Sequence, residues 1–374
     1  MATPYIFITA DYELFFGTKT GTVRNCMIAP TEAVRQVLQA LGIKMTLFVD
    51  ILFYKKLCEE GTRYPPLLEE AALMRDQIQC LAEEGHEIAL HLHPHWLDAR
   101  YDGKSWVLPL RRYRLHHLDR KEDASSWETL LGCFTRSREL LETLIREKKP
   151  DPRVVTFRAG GFCLQPFGEI RKAMMLNSIF VDSSVFPGGI CHTPELAFEF
   201  LNCPRSPFWR FQEDVLQEEK EGEFLEIPIT AASLPYWRRM YHALLRRGGG
   251  AWVRWGDGDT MAIRDLAFRP SRWNLFTKPF SAAAVYLNYE NMTWREMLYL
   301  FKKHFSRHVD EDKIPIVFLG HPKAISDRSL CELDYFLRKV QKHHHGVFTT
   351  MREFYEGLAK TESQDASYEE ASVS

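Results

Sequence analysis

Short apolar, β-rich runs alternate with longer amphipathic runs along almost the whole chain, and this alternation constrains the fold more than any other feature. Tyr5 to Ala10, Lys44 to Asp50, Glu87 to Leu92, Arg153 to Arg158, Ser178 to Asp182, Phe224 to Ile229 and Ile314 to Leu319 read as strands, with Ala283 to Tyr289 and Val347 to Thr350 as further short candidates. Pro30 to Leu41, Leu67 to Glu84, Trp127 to Lys148, Pro166 to Met175, Trp294 to Phe305, Ser329 to Lys342 and Met351 to Ala359 have helical spacing. Gly42 and Gly85 follow two of these helices, where a left-handed residue ends a helix. Repeated strand–helix units imply a parallel sheet covered on both faces. About seven to eight strands is within the range of a closed barrel. The expected fold class is therefore α/β, a distorted TIM-like barrel with loop insertions near 98–126 and 187–280. Residues 1–360 form the barrel domain in this reading, and the polar, acidic stretch 361–374 is a disordered tail.

Composition narrows the classes of function. The chain has 374 residues and a net charge of −2, so no bulk field points to nucleic acid or to an anionic membrane. No stretch approaches the roughly 20 apolar residues needed to span a bilayer. The eight cysteines are scattered without a Cys-x-x-Cys pair, which reads as reduced thiols. Asp11 and Glu13 interrupt the first apolar run, so it does not read as a secretory signal. The expectation is a cytoplasmic protein of undetermined oligomeric state.

Five strand-like runs finish in ionisable residues beside a turn. These are Asp11-Tyr12-Glu13, His91-Leu92-His93-Pro94-His95, Arg158-Ala159-Gly160-Gly161, Asp182-Ser183-Ser184 and His321-Pro322-Lys323. In a parallel barrel such C-terminal ends gather on one face, where active sites are built. The histidine run is the sharpest of the five. Imidazole binds zinc and related metals at neutral pH, and residues at alternate strand positions point to one face.

Together these motifs resemble the polysaccharide deacetylase superfamily, the NodB-homology or carbohydrate esterase family 4 group. The resemblance spans about residues 5 to 355 with the motifs in the family's order, and His91-x-x-x-His95 is its most specific part. It implies a distorted (β/α)7 barrel and one divalent metal ion, zinc by preference, used to hydrolyse acetamides on sugars. Carried over by position, Asp11 is the general base, Arg158 its partner and His321 the general acid. Glu13, His91 and His95 are the metal ligands; Phe186, Asp182 and His93 face the substrate. The chain departs from the family at Tyr12, where many members have an aspartate, and at Val185-Phe186, where an Asp-Trp pair often tunes the acid histidine.

Blander readings cover other residues. His86, at the N-terminal end of its strand, is structural. His343-His344-His345 marks a helix end that favours cations. Arg238 to Trp255 is a solvated helix followed by a loop. Three functions stay open: a deacetylase acting on an N-acetylated sugar or sugar conjugate, a hydrolase of a cyclic amide or ureide, and a glycan-binding scaffold whose chemistry has lapsed.

Overall fold

The computed structural model describes residues 2–247, 252–259 and 282–361. The chain runs β1 (Thr3–Tyr12), α1 (Ala29–Gln39), β2 (Met45–Asp50), α2 (Ile51–Gly61), α3 (Pro66–Glu83) and β3 (Glu87–Leu92). A small hairpin, β4 (Arg100–Tyr101) and β5 (Trp106–Val107), precedes α4 (Leu130–Arg146), β6 (Thr156–Ala159), α5 (Phe167–Leu176) and β7 (Val181–Asp182). A second hairpin, β8 (Ile190–His192) and β9 (Ala197–Glu199), leads to β10 (Trp209–Phe211), β11 (Phe224–Glu226), β12 (Ala231–Pro235) and α6 (Tyr236–Arg247). Then come β13 (Ala282–Tyr286), α7 (Trp294–Arg307), β14 (Lys313–Phe318), α8 (Asp327–His343), β15 (Val347–Phe348) and a closing helix over 351–361.

The main sheet has the order β10-β11-β7-β6-β3-β2-β1-β14, with β15 also beside β1. Seven of these strands, β11 to β14 along that path, are mutually parallel. The sheet curls until its ends meet. Thr230, just beyond β11, donates its N–H to the Val317 carbonyl at 3.1 Å, and its Oγ1 accepts the Val317 N–H at 2.9 Å. The result is the distorted (β/α) barrel expected from the alternating pattern. Strands β2 and β3 are buried at every position, as in a sheet covered on both faces.

Local chemistry fixes the helices that wrap the barrel. Thr129 caps α4 by accepting the Gly132 N–H at 3.0 Å. Thr293 with Glu296 and Ser326 with Ser329 form reciprocal caps on α7 and α8. Helix α2 follows β2 without an intervening glycine or proline, and no expected element covered it. The stretch 187–280, expected as an insertion, contributes β11 to the barrel itself. Residues 248–251 and 260–281, and the tail beyond 361, lie outside the described residues.

The N-terminal end of the barrel is tied together by Glu87. It accepts from Thr46 Oγ1 at 2.8 Å, Thr156 Oγ1 at 2.5 Å and the Arg352 N–H at 3.1 Å, joining β2, β3, β6 and the closing helix. Burial pushes its carboxyl above the ordinary value, against these hydrogen bonds. His86 next to it is structural, its Nδ1 accepting the Met45 N–H at 3.0 Å. Glu87→Ala strands three buried polar groups, and urea denaturation should show a loss of about 2–4 kcal/mol; a loss below about 1 kcal/mol would refute this role.

Candidate active site

Because the barrel strands are parallel, their chemically active C-terminal residues collect at one end. There they line a cleft of about 490 Å³ that contains Asp11, Glu13, His91, His93, Glu290, His321 and Lys323.

Asp11 and Glu13 lie two residues apart at the end of β1, so both face the cleft. Tyr12 points the other way and donates its hydroxyl proton to Gln77 Oε1 at 2.8 Å. The Tyr12 departure therefore falls on the opposite side of the strand from the site. Asp11 pairs with Arg158 at 2.6 Å. Arg158 is wholly buried and also donates to the Ser183 carbonyl (2.7 Å), Ser183 Oγ (3.1 Å) and Thr9 Oγ1 (3.0 Å).

Glu13, His91 and His93 form one cluster. Their ligand atoms lie within 4.8 Å of one another. Glu13 Oε2 is 3.3 Å from His91 Nε2 and 2.7 Å from His93 Nε2, and the two Nε2 atoms are 3.1 Å apart. His91 Nδ1 donates to the Arg158 carbonyl at 2.8 Å, which turns the Nε2 lone pair toward the cluster. Burial pushes the Glu13 carboxyl up, but Lys323, His93 and His91 outweigh it and hold the group well below 4.5. Burial brings His93 down to about 4. Two imidazoles and an ionised carboxylate, all desolvated and convergent, form a donor set that could hold a divalent metal with positions left open.

His95 is outside this cluster, whereas the resemblance paired it with His91. Pro94 ends the strand, and residues 94–97 turn in a 3-10 helix that swings His95 into an aromatic layer. It stacks on Tyr113 at 5.3 Å and meets the Phe16 edge at 4.7 Å. Both its ring nitrogens are buried without a hydrogen-bond partner, and burial holds its pKa well below 6.5. His93, expected to face the substrate, takes the place in the cluster. Gly160 makes room for it: a Cβ there would lie 2.4 Å from the Leu92 carbonyl and 2.7 Å from His93 Nδ1.

His321 sits across the cleft floor, its Nε2 3.7 Å from Asp11 and 3.6 Å from Glu13. Its Nδ1 donates to Glu290 Oε1 at 2.5 Å, and the same oxygen accepts the His321 N–H at 2.7 Å. Burial pulls the imidazole down, but Glu290 and Asp11 overcome it and raise the pKa above 6.5. The carboxylate missing from the Val185-Phe186 segment is thus supplied by Glu290, from the loop after β13.

Asp182 and Phe186, both expected against substrate, do not line the cleft. Asp182 is fully buried and accepts from the Ser184 Oγ–H at 2.8 Å, while Ser184 Oγ receives the Ala159 N–H at 2.8 Å. Beside it Glu226 is buried as well, and burial with the neighbouring Asp182 charge raises its carboxyl well above 4.5. The pair is a structural joint between β7 and β11. Phe186 packs behind Phe162 (5.0 Å) and Tyr286 (5.6 Å), whose rings do line the cleft with Phe198 and Leu196. Phe162 holds a left-handed backbone (φ 61°), a strained conformation for a bulky residue.

Three residues at the site were given no role from the sequence, although Lys323 stands in one of the strand-end motifs. Lys323 bonds Glu13 Oε1 at 2.7 Å and the Leu14 carbonyl at 2.5 Å. Asp50 ends β2 beside His91, accepts the Trp96 indole N–H at 2.7 Å, and is pushed up to about 8 by burial. It ends a strand like the five acids, bases and cations already noted, so the same rule finds it. Glu290 follows no strand-end pattern and only tertiary structure reveals it.

No family model and no curated protein matches the sequence. Solved structures do. An inferred polysaccharide deacetylase from Mycobacterium smegmatis superposes over 96% of this chain and 92% of its own, at 13% identity and a TM-score of 0.50. The chain has the polysaccharide deacetylase fold. The allantoinase PuuE aligns over 94% of this chain and 89% of its own at 11% identity, with a TM-score of 0.45. A GH57-type branching enzyme from the archaeon Pyrococcus horikoshii aligns over 94% and 70% at 9% identity, with a TM-score of 0.46. At these identities the likeness is one of fold.

If the cluster holds a metal, purified protein incubated with zinc and desalted should retain one ion per chain. His93→Ala, His91→Ala and Glu13→Gln should each lose it, and His95→Ala should keep it. Retention by His93→Ala with loss in His95→Ala would contradict the geometry above.

Proposed function

We propose that the chain is a metal-dependent hydrolase of a carbon–nitrogen bond, deacetylating an N-acetylated sugar or a glycan precursor. One observation carries this reading. A carboxylate held by a buried guanidinium and an imidazole held by a carboxylate stand 3.7 Å apart beside the Glu–His–His cluster. The fold and the free state of all eight cysteines, which suits a reducing cytoplasm, are consistent with it.

Glu13, His91 and His93 would hold the divalent ion, for which the nitrogen-rich set favours zinc. When bound, that ion polarises the amide carbonyl and acidifies a water molecule. Asp11, paired with Arg158 at 2.6 Å, takes the proton of the attacking water as general base. His321 carries the opposite duty. Glu290 holds its Nδ1–H, so the Nε2–H faces the cleft and donates a proton to the departing nitrogen. Phe162, Phe198, Tyr286 and Leu196 supply an apolar wall for the acyl methyl and a sugar face. The pairing of His321 with Glu290 speaks against lapsed chemistry, since an idle imidazole needs no such anchor.

Three measurements test the reading. A panel comparing acetate release from acetamido sugars with ring opening of cyclic ureides should give turnover on the sugars, and turnover confined to ureides would overturn the substrate class. On the active substrate, Asp11→Asn should lower kcat by about 10²–10⁴-fold. The sign of the pH effect follows from Glu290. It raises the pKa of His321, whose protonated form is the active acid, so activity falls as pH rises through that value. Glu290→Gln should move the alkaline limb of the pH–rate profile to lower pH; an unmoved limb would remove His321 from the acid role.

A further inference from the structure

The segment 252–259 is a loop seated on the mouth of the barrel. Trp255 donates its backbone N–H to the Ile325 carbonyl at 2.9 Å and its indole N–H to Asp327 at 3.1 Å. The Asp259 N–H reaches the Lys19 carbonyl at 2.8 Å. The fit is close: a Cβ on Gly256 would lie 2.2 Å from the Lys323 carbonyl, and one on Gly258 would lie 2.4 Å from the Phe15 ring. The loop carries one arginine and two aspartates, and the fold sends them to different places. Asp257 accepts the Thr22 N–H at 2.8 Å and the Asn25 amide at 3.0 Å, and Asp259 accepts the Thr18 hydroxyl at 2.6 Å. Neither aspartate lines the reaction cleft, and Arg254 does.

Each acid on the cleft wall already has a basic partner. Asp11 has Arg158, Glu13 has Lys323 with His91 and His93, and Glu290 has His321. Among the described residues, no carboxylate lies in ion-pair reach of Arg254. Its guanidinium donates to the Gly258 carbonyl and lies 4.7 Å from the centre of the Phe15 ring. Lys323, which holds Glu13, stands 5.2 Å from the same ring. One aromatic ring therefore spaces Arg254 from the lysine of the Glu–His–His cluster. The loop is seated by Trp255, Asp257 and Asp259, which leaves the arginine's fork for the cleft. A planar fork of N–H donors matches the oxygens of a phosphate or a carboxylate.

We propose that Arg254 is an anion subsite of the cleft, and that the acetamido sugar carries a phosphate or a carboxylate which this guanidinium binds. The inference rests on the sugar reading given above and narrows its substrate class. Calorimetric titration of the full chain with N-acetylglucosamine, its 1-phosphate and its uronic acid tests it, with acetate release followed on the same three sugars. At least one charged sugar should bind about tenfold or more tightly than the neutral one, and the tighter of the two identifies the group. Arg254→Gln should lose that margin while its thermal melt and its affinity for the neutral sugar stay unchanged. Arg254→Lys, which keeps the charge, should retain more of the margin than Arg254→Gln. An arginine that only holds its loop would instead lower the melt and weaken all three sugars alike. That result would overturn the subsite. So would equal affinity for neutral and charged sugars, binding of none of them, or an Arg254→Gln chain that keeps the margin. An Arg254-dependent preference for a charged sugar, without acetate release from any of the three, would overturn the deacetylase reading and leave the subsite standing.

Discussion

A guanidinium in the middle of the barrel governs this architecture. Arg158 has no exposed surface, and a buried cation without partners costs several kcal/mol. It therefore needs an anion and several acceptors at fixed places. Asp11 from β1, Thr9 one residue pair earlier and Ser183 after β7 provide them, and the ring of Phe48 on β2 lies 4.0 Å beneath. Its own backbone carbonyl receives the His91 ring proton at 2.8 Å. One residue thus sets the base, orients a candidate ligand and pins four strands to each other. Arginine suits the place because its planar fork satisfies several acceptors at once and stays charged when buried.

Around it, burial does opposite things to neighbouring acids according to their company. Glu13 is surrounded by Lys323, His91 and His93, so it stays an anion despite its burial. Asp50, a few residues' breadth away, has one indole N–H and no cation in contact, so burial pushes it to about 8. Two carboxyls on adjacent strands are thereby held in different protonation states near neutral pH. The aromatic layer of Phe16, His95, Trp96 and Tyr113 keeps water from the rear of the cluster and strengthens every charge in front of it.

Much of this was legible in the sequence. Each barrel strand except the short β7 and β11 lies close to its expected run, because a strand buried on both faces must be almost wholly apolar. Asp11, Glu13, His91, Arg158 and His321 converge because parallel strands leave their C-terminal ends together. Within the histidine run the structure groups His93, rather than His95, with His91 and Glu13. Strand alternation already placed His91 and His93 on one face, and Pro94 breaks that alternation before His95.

The order of strands, the barrel and the identity of most strand-end groups follow from local pattern, since hydrophobic period and turn chemistry act within a few residues. Tertiary structure alone decided the partners. Glu290 beside His321, Lys323 beside Glu13 and Glu226 beside Asp182 come from segments far apart in the chain or from separate strands. Their pairing depends on how strongly buried charges and carboxyls must be compensated, and that is set by the packed interior rather than by any neighbour in sequence.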